Sequence, residues 1–120
     1  MQITRFEDAK PYDAPKHYNM LGLRLQGFDA SLSENFWVGL SQFLPGGGAE
    51  MDSSPLEKVY IVLSGEITIT LGNGEETILK AQDSCFLAPN EARAIENRSN
   101  TTAHMYVIMN YPKGYDHGPA

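Results

Sequence analysis

The sequence predicts an all-β domain, and three observations indicate this class. Segments rich in Val, Ile, Thr and aromatic residues recur about every ten residues between turn residues, as in sandwiches and barrels. No segment has a sustained hydrophobic period of 3.6 residues, which a set of amphipathic helices would require. Asn73 and Gly74 separate two alternating segments, and Asn-Gly is the strongest short signal for a β-hairpin.

The predicted strands follow the chain in order. Residues 21–26 alternate between apolar and other residues, and residues 36–44 are aromatic and β-branched until Pro45 and three glycines end the segment. Residues 58–63 read Lys-Val-Tyr-Ile-Val-Leu and are strongly β-prone, and Gly65 separates them from the next strand. The remaining strands are expected at residues 66–71, 76–79, 84–88, 92–96 and 103–111.

Both ends of the chain differ from this pattern. Residues 6–18 and 112–120 contain prolines and glycines at irregular spacing, so we expect irregular structure there. At most, residues 31–34 form one helical turn. The chain of 120 residues fits a single domain, 1–120, with its core strands between about residues 20 and 111.

Composition excludes several classes of partner. The formal charge of −6 argues against nucleic acid and anionic membranes, which both favour basic patches. The single cysteine, Cys85, allows no intramolecular disulfide and fits a reducing compartment. The sequence has neither an apolar run long enough for a membrane helix nor the apolar core of a secretory signal at its start. We therefore expect a cytoplasmic protein.

Two segments carry a recognisable pattern of glycines and prolines. The first runs from Pro45 through three glycines to Gly65 and Glu66, and the second contains Asp83, Pro89 and Asn97. Together they resemble the two motifs of the cupin superfamily. The resemblance implies a double-stranded β-helix, also called a jelly-roll barrel, with one pocket between its sheets. Gln82 and Asn90 stand where the family usually has glycines.

The resemblance also implies where a metal would bind. Metal-binding cupins carry His, His, Glu and His at four positions, and this chain has Asp52, Ser54, Lys58 and Arg93 there. A shift of one residue before Pro55 would instead place Met51 and Ser53 at the first two positions. Lysine and arginine side chains offer protons rather than lone pairs, so we expect no metal ion and no other cofactor.

Side-chain alternation predicts which residues meet in the barrel. If Lys58 points inward, Tyr60 does too, whereas Val59, Ile61 and Leu63 form an apolar outer face. That outer face predicts a homodimer. The resemblance implies that Asp52, Lys58, Tyr60 and Arg93 converge in the pocket.

Unpaired buried cations are costly, so Asp52 is the expected internal partner of Lys58 and Arg93. Glu50 is the second candidate for this partner. One carboxylate against two cations leaves an excess positive charge, which favours an anionic guest.

The candidate residues have alternative explanations. Lys58 and Arg93 bind a ligand or form a structural salt-bridge cluster, and Tyr60 donates a proton or lines the core. The catalytic candidates are Lys58, Tyr60, Asp52 and His104. The ligand-binding candidates are Arg93, Lys58, Ser54, Glu50, Trp37 and His17.

Three functions are open at this stage. The first is a metal-independent enzyme of the lyase, isomerase, cyclase or decarboxylase type that acts on a small organic anion. The second is a non-catalytic anion-binding or sensor protein with the same pocket. The third is a cupin that holds a metal through atypical ligands such as His17, His104 and Asp52.

Overall fold

The computed structural model describes residues 1–116, and residues 117–120 of the expected irregular C-terminal segment lie outside that range. A short 3-10 helix spans Phe6–Asp8. Nine strands follow: β1 Lys10–Tyr12, β2 His17–Gln26, β3 Phe36–Asp52, β4 Lys58–Ser64, β5 Glu66–Leu71, β6 Glu76–Lys80, β7 Ser84–Leu87, β8 Arg93–Glu96 and β9 Ala103–Asn110.

The strands form a nearly closed jelly-roll barrel, which confirms the predicted all-β class. They are hydrogen-bonded in the order β6-β5-β8-β3-β9-β4-β7. Strand β2 also pairs with β3, and β1 pairs with β2. Within residues 1–116 no helix is long and apolar enough to cross a membrane.

Three details of the secondary structure differ from expectation. The segment expected to be irregular at residues 6–18 contains the 3-10 helix and β1, because residues 10–12 pair with residues 22–24 of β2. The helical turn expected at residues 31–34 is absent from the structure. Strand β3 does not end at Pro45 but continues to Asp52.

Strand β3 continues because its glycines let it turn a corner between the two sheets. Its first half pairs with β9, and its second half pairs with β8. Gly46 has a φ of +81°, a conformation in which glycine is not strained. A Cβ at Gly47 or Gly48 would collide with a backbone oxygen of a neighbouring strand. The buried Asn97 fixes the corner by donating from its side chain to the carbonyl of Phe43 at 3.0 Å.

The two positions where the family usually has glycine have left-handed backbones here. Gln82 has a φ of 74° and Asn90 a φ of 67°. Asparagine tolerates this region better than most residues, whereas the conformation is uncommon for glutamine. The turns of the second motif are therefore formed without the glycines that usually accommodate them.

Strands β3, β4 and β9 present two different faces. Inward-facing residues such as Phe43, Tyr60, Val62 and Met105 form the closely packed core. The other face carries an open apolar groove of about 510 Å³. Leu63, predicted to face outward, is 47% exposed and lines this groove together with Phe6 of the N-terminal segment.

Candidate functional site

The barrel interior contains a cavity of about 310 Å³ at one end of the core. Its lining combines apolar side chains with polar side chains from β1, β2, β3, β4 and β8. The cavity is lined by Tyr12, Asp13, Ala14, Pro15, His17, Arg24, Phe28, Trp37, Ser41, Asp52, Ser54, Lys58, Tyr60, Arg93, Ile95, Met105, Val107 and Met109.

Lys58 is the most unusual residue in the cavity. It is 5% exposed, and its Nζ is buried without a hydrogen-bond partner among residues 1–116. Strand β4 directs it inward because Lys58, Tyr60 and Val62 alternate with Val59 and Ile61. Burial, with Arg93 as a second cause, lowers the pKa of Lys58. A charged amine here is costly until an anion approaches it.

Arg93 is held in place by two hydrogen bonds. Its Nε donates to the hydroxyl of Tyr60 at 2.8 Å, and its Nη1 donates to the carbonyl of Glu50 at 3.2 Å. Arg93 is 7% exposed and Tyr60 is 2% exposed. Burial raises the pKa of Tyr60, although the nearby Arg93 opposes this effect. The tyrosine is therefore protonated at neutral pH, and its O–H is available to donate.

Asp52 does not pair with the buried cations as expected. It lies at the rim of the cavity, where its side chain is 42% exposed, and its ion pair is with Lys16 at 3.6 Å. Solvent-exposed Lys16 can adjust its long side chain to reach this carboxylate. The N–H of Ser53, with Lys16 as a further cause, lowers the pKa of Asp52. Among the described residues, neither Lys58 nor Arg93 has a carboxylate within 4 Å.

The other two candidates of the first motif have different positions. Ser54 lines the cavity, so the motif has the register that includes Asp52 and Ser54 rather than exposed Met51 and Ser53. Glu50 is exposed and contributes its carbonyl to Arg93, while its carboxylate is not part of the cavity wall. Glu50 is therefore not the reserve carboxylate that the sequence suggested.

The N-terminal segment covers one side of the cavity. Residues 12–15 and the ligand-binding candidate His17 belong to its wall. The Nδ1 of His17 is 2.8 Å from the carbonyl oxygen of Pro15, and its ring stacks on Phe43 at 6.4 Å. Burial lowers the pKa of His17, so this imidazole is neutral at pH 7.

A third cation in the cavity wall, Arg24, was not predicted from the sequence. Its guanidinium carbon lies 3.9 Å from the ring centroid of Tyr12, 4.1 Å from that of Phe28 and 4.8 Å from that of Trp37. Trp37 thus lines the cavity and also belongs to an aromatic cluster with Tyr12 and Phe28. The signal for Arg24 was its place in the alternating segment at residues 21–26, on the opposite face to Leu23 and Leu25.

His104 lies away from the cavity. It is on the outer face of β9, where it lines the apolar groove and its Nδ1 is 2.9 Å from the hydroxyl of Ser64. The structure therefore brings Lys58, Tyr60, Arg93, Ser54, His17, Trp37 and Asp52 together and leaves His104 and the side chain of Glu50 elsewhere.

The donor set in the cavity does not fit a metal ion. Arg93 offers no lone pair and lysine is not a usual metal ligand, so the candidate ligands in the wall are Asp13, His17 and Asp52. Within residues 1–116, no three His, Cys, Asp or Glu side chains are grouped to hold an ion. The wall contains more basic than acidic side chains. The basic ones are Arg24, Lys58 and Arg93, and the acidic ones are Asp13 and Asp52. The arrangement can bind an anion and can donate a proton from Tyr60.

Comparison with known proteins agrees with this barrel. Residues 39–109 match the cupin domain family. A Mycobacterium tuberculosis protein named beta-D-galactosidase is 44% identical over 112 residues, which are 93% of this chain and 96% of that protein.

Two solved structures have the same fold. The polyketide cyclase RemF from Streptomyces resistomycificus superposes with a TM-score of 0.82 at 16% identity, covering 92% of this chain and 79% of the cyclase. A predicted oxalate decarboxylase from Thermotoga maritima superposes with a TM-score of 0.75 at 20% identity, covering 93% of this chain and 100% of that chain. With the sequence match over residues 39–109, these findings show that the chain belongs to the cupin family.

Proposed function

We propose that this cupin is a metal-independent enzyme that binds a small organic anion in its interior cavity. The reaction is of the lyase, isomerase, cyclase or decarboxylase type, none of which requires a redox cofactor. One observation carries the proposal: the buried Nζ of Lys58 has no partner within residues 1–116 and lies near the guanidinium of Arg93. An anion between the two side chains would supply the missing partner.

The energetics of burial favour this assignment. An unsatisfied buried donor costs about 1–3 kcal/mol, and a charged one costs more. Arg93 donates from Nε to Tyr60 and from Nη1 to the carbonyl of Glu50. Its other N–H groups remain available to a carboxylate. The cavity has more basic than acidic groups and therefore favours negatively charged ligands. This local charge is opposite to the net charge of −6 of the whole chain.

The same residues supply the elements of proton-transfer catalysis. Lys58 and Arg93 would stabilise negative charge that develops on an enolate or carboxylate oxygen. Tyr60 accepts a hydrogen bond from Arg93, so its own O–H is free to donate to the substrate. Asp52, ionised at the rim, is the candidate base. His104, on the other face of the sheet, has no role in this scheme.

Titration calorimetry with small probes tests the proposal. We expect acetate, malonate and pyruvate to bind to the purified protein and neutral acetamide to bind not at all. Arg93→Met should weaken probe affinity by about ten- to a hundredfold, the range for a lost charge-assisted hydrogen bond. Arg98→Met is the matched control, because Arg98 is exposed and pairs with Glu76 and Glu96 on the surface.

Four outcomes would change the assignment. Equal binding of acetamide and acetate, or equal losses in both arginine variants, would contradict the anion site. Bound transition metal near one ion per chain in the purified protein would contradict metal independence. Tight anion binding without turnover of any candidate acid would instead establish the non-catalytic sensor.

Hydrolysis of β-D-galactosides is a second candidate function, favoured by the 44% identity to the protein of that name. Glycoside hydrolysis uses two carboxyl groups, and Asp13 and Asp52 line the cavity. The lowered pKa of Asp52 suits a base or nucleophile and not a general acid.

Release of nitrophenol from nitrophenyl β-D-galactoside is the test. Loss of this activity in Asp52→Asn and Asp13→Asn, but not in the exposed control Glu34→Gln, would support the hydrolase.

The partner that we propose for the outer apolar face is a second copy of this chain. Leu63 and Phe6 are 47% and 63% exposed at the groove on that face. Light scattering on wild type and Leu63→Glu tests the homodimer: we expect the variant to be monomeric, and a monomeric wild type would contradict the proposal.

A further inference from the structure

The amine of Lys58 differs from the other lysine amines of the chain. Lys10, Lys16, Lys80 and Lys113 are exposed, whereas Lys58 is 5% exposed and lines the cavity. Its Nζ is also the one buried side-chain nitrogen or oxygen without a hydrogen-bond partner in the described part of the chain. Neither a structural ion pair nor a hydrogen-bond network explains why a lysine occupies this position.

An amine in this environment is suited to act as a nucleophile. The neutral form of lysine has a lone pair, and burial beside another cation favours that form. Burial and Arg93 both lower the pKa of Lys58. No described carboxylate within 4 Å holds the amine in its protonated state.

We propose that Lys58 forms an imine with a 2-oxo acid whose carboxylate is held by Arg93. This inference rests on the proposed anion site and names its substrate class. In a 2-oxo acid the carbonyl carbon is bonded directly to the carboxylate carbon. An acid held by Arg93 therefore presents its carbonyl carbon to the neighbouring amine.

The wall of the cavity fits such a substrate. Lys58 and Tyr60 are two residues apart on the inward face of β4, and Tyr60 contacts Arg93 at 2.8 Å. The amine, the hydroxyl and the guanidinium thus form one polar patch. Apolar side chains flank this patch, since Val107 pairs with Tyr60 and Ile95 follows Arg93 on β8, and they can pack against the carbon chain of the acid.

The step balances without any oxidant or reductant. The lone pair of Nζ forms a bond to the carbonyl carbon while the C=O π pair moves to oxygen, which takes a proton from the Tyr60 hydroxyl. The nitrogen then loses a proton, which restores Tyr60, and gives a neutral carbinolamine. Expulsion of the hydroxyl with one further proton releases water and leaves the protonated imine. That proton enters from solvent.

Reductive trapping tests the inference on the whole chain. Purified protein is incubated with pyruvate and sodium cyanoborohydride, digested, and mapped by mass spectrometry. We expect a reduced pyruvate adduct on Lys58. Its yield should exceed that on Lys80, since a lowered pKa increases the neutral fraction of Lys58 and Arg93 holds the acid beside its amine. Lys58→Arg should lose this adduct, and Lys80→Met should retain it.

The outcomes separate this inference from the proposed function. Calorimetry with propionate, which has the carboxylate but no 2-oxo group, measures anion binding alone. If propionate binds and Lys58 is labelled no more than Lys80, the imine is overturned and the anion site stands. If neither propionate nor pyruvate binds, both proposals fail. Because the peptide map of wild-type protein decides the question, the result does not depend on whether a variant folds.

Discussion

The buried amine of Lys58 predicts a substitution that stabilises the protein while abolishing its function. Lys58→Met keeps an unbranched side chain of similar length and removes the nitrogen that lacks a partner. The folded protein no longer has to bury a charged or unsatisfied group. Functional sites often lower stability in this way, so replacing their residues raises it.

The size of the effect follows from the burial of Lys58. Leaving one buried donor unsatisfied costs about 1–3 kcal/mol, and Lys58 is 5% exposed. For a domain of 120 residues, each kcal/mol shifts the melting temperature by roughly 4 °C. We therefore expect Tm to rise by roughly 4 to 12 °C at neutral pH without ligand. The affinity for carboxylate probes should fall in the same variant.

Differential scanning calorimetry of wild type, Lys58→Met and Lys80→Met measures this difference. Lys80 is exposed at the end of β6, so its replacement should change stability by less than about 0.5 kcal/mol. The control corrects for the general effect of removing one positive charge from an acidic protein. A Tm for Lys58→Met at or below that of wild type would refute the reasoning, because it would show that the amine has a stabilising partner.

Three further predictions follow from the same structure. The pKa of Lys58 in the folded state is below the 10.5 of an unfolded lysine. At pH values between the folded and unfolded pKa, the folded chain therefore binds fewer protons than the unfolded chain. Wild type should therefore gain stability relative to Lys58→Met as pH rises through that window, and a constant difference in Tm would count against it. Tyr60→Phe removes the acceptor of Arg93 Nε and should cost about 1–2 kcal/mol in thermal denaturation, with acetate binding weakened about three- to tenfold. Gly27→Ala should destabilise by more than about 2 kcal/mol, because at a φ of +85° its Cβ would meet two aromatic residues at 2.5 and 2.6 Å. Gly74→Ala, with a φ of +88° and open space, should cost only about 1 kcal/mol, so equal losses would contradict the packing argument.

Most of the barrel could be predicted because its strands have clear local signals. The predicted hairpin at Gly74 joins β5 and β6, and residues 66–71 form a strand with the expected bounds. Alternation also identified the inward side chains of β4, since Lys58 and Tyr60 are buried and Leu63 is exposed. Period-two patterns report on strands directly, because successive side chains point to opposite faces.

The corner in β3 could not be read from local patterns. Proline and three glycines normally end a strand, so the sequence predicts an end at Pro45. The strand continues because its second half pairs with β2 and β8. Those strands approach so closely that only glycine fits at residues 47 and 48. Those neighbours are distant in sequence, so only the tertiary structure reveals this reason for the glycines.

The site was predicted only where the cupin resemblance and alternation agreed. Lys58, Tyr60 and Arg93 meet as expected because they lie on neighbouring parts of one barrel interior. Arg24 escaped notice because an arginine between leucines suggests a solvent-facing side chain, and here that face lines the cavity. The partner of Asp52 was missed because Lys16 belongs to a segment that was expected to be irregular.

A crystal structure of the protein grown with pyruvate tests the central claim most directly. The account predicts density for the carboxylate in the interior cavity, in contact with the guanidinium of Arg93 and within reach of Lys58 Nζ. A metal ion between these two side chains, or a Lys58 amine that points to bulk water beside a cavity without an anion, would contradict it.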